Sequence, residues 1–424
     1  MQPGFGAPRT WQMPPIPPVP GYGSTGNYRS PANSPAMGWK QQGNVNSALT
    51  QQQQLQALLE SDFYISQQIR ERDIRMACTR AYRQAYSTLI TMNPDSFSLT
   101  MVQFLVENAY YDNLYDLNSF DSLICFQSNA VRRFLKQEGL PLNNTTLNYG
   151  IQQLFRRSLT MYDRKGRLVT LRPLSYDFND YKGENDYSQL FTLKLLLSGK
   201  GQCNSMPRLY LMIAEKLGAQ AYLSLGPQHS FIQYPDARNR LVNFETTNGT
   251  VVTTNWLMQS GYINAHALKM KTYLDTLSRR ELFARSLCDL MLGYVHKFGY
   301  DELAEEIRQK ILQIDPQNLT ALIVGSNLKT QESLDKYIAA GKPPLQELDK
   351  YPAVQTVRQE MLAAYEAVDR LGYQDMPAGA YQRWLGSIEQ EKKQRSQQAL
   401  QQSIQADIDR LRKIKVTITQ KKGR

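Results

Sequence analysis

Three side chains that together can perform thiol chemistry fall in order within one short stretch: Cys203 in GKGQC, His229 in PQHSFIQY and Glu245 in NFETT. A thiolate can attack a carbonyl carbon, an imidazole can take and return the proton, and a carboxylate can hold the imidazole in place. The surrounding sequence supplies elements that would position all three. The run 203–217 (CNSMPRLYLMIAEKL) has the apolar pattern of a helix, with Cys203 in its first turn and Gly218 as its stop. Three stretches of strand character follow it: AYLSL (221–225), HSFIQY (229–234) and LVNFET (241–246).

A thiol at a helix N-terminus faces unpaired backbone N–H groups and the positive end of the dipole, and both favour thiolate. Gly199 and Gly201 flank Lys200 just ahead of the sulfur, permitting close backbone approach and bringing one cation near. Gly201 and Gln202 are the expected supports for a developing oxyanion, through backbone N–H groups and the Gln202 amide. The turn between the second and third strands, roughly Pro235 to Arg240, carries Asp236, Arg238 and Asn239, all suited to turns. Pairing across it sets His229 within about one residue of Glu245, which is hydrogen-bonding reach on a shared face. A slip of one residue would put them on opposite faces.

The other chemistry-bearing residues read as structural. Cys78, Cys125 and Cys288 lie in helical runs with no base or glycine turn beside them, so each is expected as a small buried hydrophobe. His266 and His296 are expected on helix surfaces or in the core. Four cysteines without C-x-x-C spacing and only three histidines argue against a zinc-type site. Asp177, Asp180, Glu184 and Asp186 depart from the spacing of a calcium-binding loop. Phosphate-cradling glycine motifs are absent, and no cofactor or metal is expected.

Taken together, these residues resemble the transglutaminase-like superfamily, a branch of the papain-like thiol enzymes. The resemblance rests on the step Gly199-x-Gly201-x-Cys203, on LYLMIAEKLG after it, and on the acid followed by Thr in FETT. It covers residues 187–256 most closely and extends over 160–270. It implies an α+β fold, predominantly helical, in which a cysteine-bearing helix packs on a small antiparallel sheet. Cys203 would be the nucleophile, His229 the base at the start of one strand, and Glu245 the acid on the next, where the family usually carries Asp or Asn. Similar chains are bacterial, largely from Bacteroidetes, and carry tetratricopeptide-like helices after the thiol-enzyme domain. The implied activity is cleavage or exchange of an amide bond in a protein or peptide through a thioester. Hydrolysis is preferred over crosslinking, because nothing in the sequence marks a lysine-docking site. The alternative is a non-catalytic interaction protein that keeps the fold as a scaffold and binds partners through its helical repeats.

Composition divides the 424 residues into five segments. Residues 1–46 are rich in Pro, Gly, Ser and Asn and cannot bury enough surface to order. Residues 47–158 show helical periodicity. Residues 159–275 hold the thiol core, with a β-hairpin at 161–171 turning at Arg164–Gly166. An acidic, aromatic loop at 176–187 either borders the cleft or caps the next helix. Residues 276–385 carry a tetratricopeptide-like helix pair closed at Asp315–Pro316. Residues 386–424 read as a basic amphipathic helix or tail.

From Ser387 onward ten Lys or Arg face four acids, +6 of the whole chain's +11. The expected partners are therefore a protein or peptide substrate, a protein at the tetratricopeptide-like helices, and an anionic polymer or membrane surface at the tail. No specific nucleic acid is expected. The sequence has no run long enough to span a membrane. With no apolar leader after Met1, the expected compartment is extracytoplasmic (periplasmic) if a signal peptide has been removed, and cytoplasmic otherwise.

Overall fold

The computed structural model describes residues 67–162 and 165–373, with isolated positions at 379, 380, 383, 386 and 390. The N-terminal arm, the start of the first helical segment and nearly all of the basic tail lie outside the described residues. Residues 67–78 are helical and lead into α1 (Arg80–Leu89), followed by α2 (Leu99–Tyr110), α3 (Leu117–Gln137) and α4 (Asn144–Arg156). The starts of α2, α3 and α4 are capped by the side chains of Ser98, Asp116 and Asn143, each accepting from a backbone N–H in the first turn. A hairpin follows, β1 (Leu159–Tyr162) with β2 (Leu168–Leu171), close to the stretch expected for it.

A two-residue strand, β3 (Ser175–Tyr176), leads into the acidic loop and then α5 (Thr192–Ser198). Gly199 ends α5 in a left-handed conformation, φ 72°, a geometry that favours glycine. The chain then pairs β4 (Lys200–Gly201) in parallel with β3, setting Tyr176 opposite Gly201. Gly201 is required by contact: a Cβ there would lie 2.6 Å from Ser205 Oγ. That hydroxyl accepts from the Gln202 N–H at 3.1 Å. The turn carrying Cys203 is thus fastened at both ends.

Helix α6 (Ser205–Leu217) is the centre of the molecule. Its residues from Ser205 to Ala214 are all buried, as expected for a helix that is apolar nearly all round. It packs on α2, α3, α4 and α5 on one side and on strands β5 (Tyr222–Gly226) and β6 (His229–Pro235) on the other. Pro207 is tolerated because the first N–H groups of a helix have no acceptor. With β7 (Leu241–Glu245) and β8 (Thr250–Val252), the strands form an antiparallel sheet of order β5-β6-β7-β8. The three strands read from sequence are present. The fourth was not expected, since three residues are too few to show an alternation.

After the sheet come α7 (Thr254–Ser260), α8 (Ala265–Lys269), α9 (Arg279–Phe298), α10 (Glu302–Ile314), α11 (Leu319–Ala339) and α12 (Pro352–Asp369). Helices α9 and α10 pair, as do α11 and α12. One apolar core joins α3, α4, α6 and the sheet. A second joins α1 and α2 to α9, α10 and α11, so the N-terminal and C-terminal helices share an interior. Overall the chain is α+β and predominantly helical. Among the described residues no helix is long and apolar enough to cross a membrane.

One ion pair ties α6 to α9. Arg208, fully buried, donates to Asp289 at 3.0 Å and to Ser286 Oγ at 2.7 Å. Breaking such a pair from one side leaves an uncompensated buried charge. Arg208→Met should therefore lower the unfolding free energy by about 3–5 kcal/mol in urea titrations followed by circular dichroism. Arg208→Met combined with Asp289→Leu should recover much of that loss. Equal losses in the single and double variants would contradict this account of the contact.

The cysteines correct part of the sequence expectation. Cys288 is buried, with its Sγ 3.2 Å from Asn318 Oδ1, and burial pushes its thiol up to about 12. Cys78 is instead exposed and Cys125 only half-buried. Both lie on the outward side of their helices, a distinction that helical periodicity leaves to phase. His296 is buried, with Nε2 3.3 Å from the Glu184 carbonyl, and His266 is exposed, with Nε2 3.0 Å from the Arg370 carbonyl.

Candidate active site

Sheet register decides whether the imidazole and the carboxylate meet. In the β6–β7 ladder Ile232 pairs with Phe244 and Gln233 with Asn243. The same register carries Glu245 opposite Phe231, so His229 and Glu245 share a face as diagonal neighbours two residues out of register, not within the one residue expected. A diagonal is wider than a direct pairing, and the extra methylene of glutamate helps to cover it. His229 Nε2 is 2.6 Å from Glu245 Oε2. The other oxygen, Oε1, accepts from Thr247 N at 3.0 Å and Thr247 Oγ1 at 2.8 Å. Of the two threonines after the acid, the second fixes the carboxylate.

The hairpin tip sets the other side of the ring. β5 and β6 are joined by the two-residue turn Pro227–Gln228, with Gly226 opposite His229. Gln228 takes φ 53°, a left-handed conformation that costs a non-glycine residue free energy. Its carbonyl lies 3.8 Å from the Cys203 sulfur. The next residue after His229 completes the junction: the Ser230 hydroxyl donates to the Cys203 carbonyl. The strand that carries the imidazole thus also holds the backbone of the thiol turn.

Cys203 lies within electrostatic reach of the His229 ring, whose Nε2 is turned to Glu245. Cys203 is half-buried and stands two residues ahead of α6, not within its first turn as expected. Asn204 already has helical dihedrals, φ −84° and ψ −55°, so the difference reflects where hydrogen bonding begins.

Burial of the imidazole draws its pKa down. The charge and hydrogen bond of Glu245, with the nearby Cys203 side chain, outweigh that and raise it from 6.5 to about 10. The His229 side chain is 9% exposed and Glu245 fully enclosed, so solvent screens the pair weakly. Glu245 thus favours the imidazolium form of His229.

Cys203 and His229 line a cleft of about 320 Å³. Its walls come from three places: the acidic loop at Tyr181 to Glu184, the hairpin tip, and the helices after the sheet, through Arg285, Asp289 and Thr320. The loop therefore borders the cleft, one of the two roles considered for it. Asp180 holds it by accepting from the N–H groups of Glu184, Asn185 and Asp186. Among the described residues no cluster of His, Cys, Asp and Glu could hold a metal ion.

The supports expected around the sulfur divide. Gly201 permits the tight turn, through its backbone and its lack of Cβ. Gln202 is fully buried, its Nε2 is 3.5 Å from the Asp177 carbonyl, and it does not line the cleft. Lys200 is exposed and its charge acts on Asp177. A cation that shares the cleft with the sulfur is Arg285, which sequence reasoning passed over. The available signal was Arg285 and Asp289 one turn apart in the otherwise apolar run LFARSLCDLML.

No family model, curated protein or solved structure matches this chain.

The raised imidazolium has consequences for titration. Its contribution to stability is complete below about pH 6.5 and is lost as the pH rises through about 10. A histidine NMR titration should find His229 still protonated well above neutral pH. Glu245→Gln should lower that midpoint by about 1–3 pH units. An unchanged midpoint would show that the carboxylate does not hold the charge.

Proposed function

We propose that this protein is a transglutaminase-like cysteine enzyme that acts on an amide bond of a protein or peptide. The observation that carries this reading is an imidazole held by an enclosed carboxylate and lining one cleft with a half-buried thiol. Supporting it are a helix leading away from the cysteine, a histidine opening one strand and an acid ending the next.

Cys203, as thiolate beside the His229 imidazolium, attacks the amide carbonyl and forms a tetrahedral intermediate. His229 gives its proton to the leaving amine as the C–N bond breaks, and a thioester remains. The now neutral imidazole takes a proton from an incoming water, whose oxygen attacks the thioester. Collapse releases a carboxylic acid and restores the thiolate–imidazolium pair. Glu245 holds the ring oriented throughout and stabilises its charge. An amine in place of water would give transfer; hydrolysis is favoured because nothing in the sequence marks a lysine-docking site.

A sulfur sealed from solvent would favour the alternative, a non-catalytic scaffold; in support of the enzyme reading, Cys203 is half-buried and lines the cleft.

Incubating the protein with a mixed peptide digest in heavy-oxygen water tests the proposal. Mass spectrometry should find products with heavy oxygen in the newly formed carboxyl groups. Cys203→Ala should abolish them and His229→Ala should slow their formation about 10²–10⁴-fold. Products that persist in Cys203→Ala, or no products from the wild type, would contradict it.

A further inference from the structure

Arg285 is one of three Lys or Arg side chains that line the cleft, with Lys182 and Lys271. It lies on α9, one turn before Asp289, and lines the same space as Cys203 and His229. Its Nη1 donates to Thr320 Oγ1 at 2.9 Å, a neutral partner. Asp289 is held by Arg208 at 3.0 Å, and among the described residues no carboxylate lies within ion-pair distance of Arg285. Three other acids line the cleft, each with a partner of its own; Glu184 is 3.4 Å from Lys182. Glu281 accepts from the Ser278 N–H, and Asp315 accepts from the Gln317 N–H and the Asn318 amide.

Burial pulls the Arg285 pKa down, but Asp289, Cys288, Tyr187 and the Cys203 sulfur outweigh it and raise it. The sulfur's effect places the guanidinium within electrostatic reach of the reactive atom. A guanidinium carries five N–H donors in a planar fork matched to a carboxylate. Here it is permanently charged and faces a cleft, with a hydroxyl as its hydrogen-bonded partner.

We infer that Arg285 binds a carboxylate of the substrate, so that the enzyme prefers peptides bearing an acidic side chain or a free C-terminus close to the scissile amide. This rests on Cys203 being the reactive thiol, as proposed above. Anionic character in the substrate then has a receptor in the same cleft as the nucleophile.

Iodoacetate and iodoacetamide are alkylating probes of nearly equal size that differ in charge, and their rates at Cys203 can be compared by mass spectrometry at low salt. Exposed Cys78 in the same chain provides an internal reference. The iodoacetate-to-iodoacetamide rate ratio should be higher at Cys203 than at Cys78. Arg285→Gln should lower the Cys203 ratio about tenfold, while Arg285→Lys should largely retain it. Protection of Cys203 by N-acetylglycine would assign the carboxylate to a peptide terminus; protection by N-acetylglutamate α-amide would assign it to a side chain. A ratio unchanged in Arg285→Gln, with rapid iodoacetamide labelling preserved, overturns the inference alone. Slow iodoacetamide labelling of wild-type Cys203 would instead overturn the proposed function.

Discussion

The position of α6 is the constraint on which the rest depends. A helix buried on every face cannot shift without opening an apolar interior, so the turn entering it is fixed as firmly as the core. That turn carries Cys203. The single charge in the middle of the helix, Arg208, is answered from α9, which adds direction to packing that is otherwise non-directional. The sulfur is thereby held against both the sheet and the C-terminal helices.

The sheet contributes reach. A directly opposed pair would have served a shorter acid, but the β6–β7 register offers His229 a diagonal neighbour, and glutamate fits that spacing. Thr247 then restrains the longer side chain by holding its second oxygen. The proton-holding strength of the imidazole follows from the Glu245 carboxylate and the nearby sulfur, which outweigh the cost of burial. Local strain collects at the hairpin tip, in Gln228, where the backbone turns toward the thiol.

The core of the site was legible because its signals are local. A glycine step, a helix and a hairpin each announce themselves over a few residues, and Cys203, His229 and Glu245 follow from them. The cleft's far wall was not legible, because Arg285 meets Cys203 only through tertiary packing across some eighty residues of chain. The same holds for the shared interior of the first and last helices: periodicity shows that a helix has an apolar face without naming what covers it. Gln202 shows the converse failure. Its residue type suited an oxyanion donor, but its side chain turns inward to the Asp177 carbonyl.

The central claim is that Cys203 forms a reactive pair with an imidazolium held by Glu245. The most direct test is the pH dependence of iodoacetamide alkylation, with each cysteine mapped by mass spectrometry, in wild type and in His229→Ala. The account predicts selective modification of Cys203 below pH 7, ahead of the better exposed Cys78 and slowed by loss of the imidazole. Labelling of Cys203 no faster than Cys78, or unaffected by His229→Ala, would contradict it.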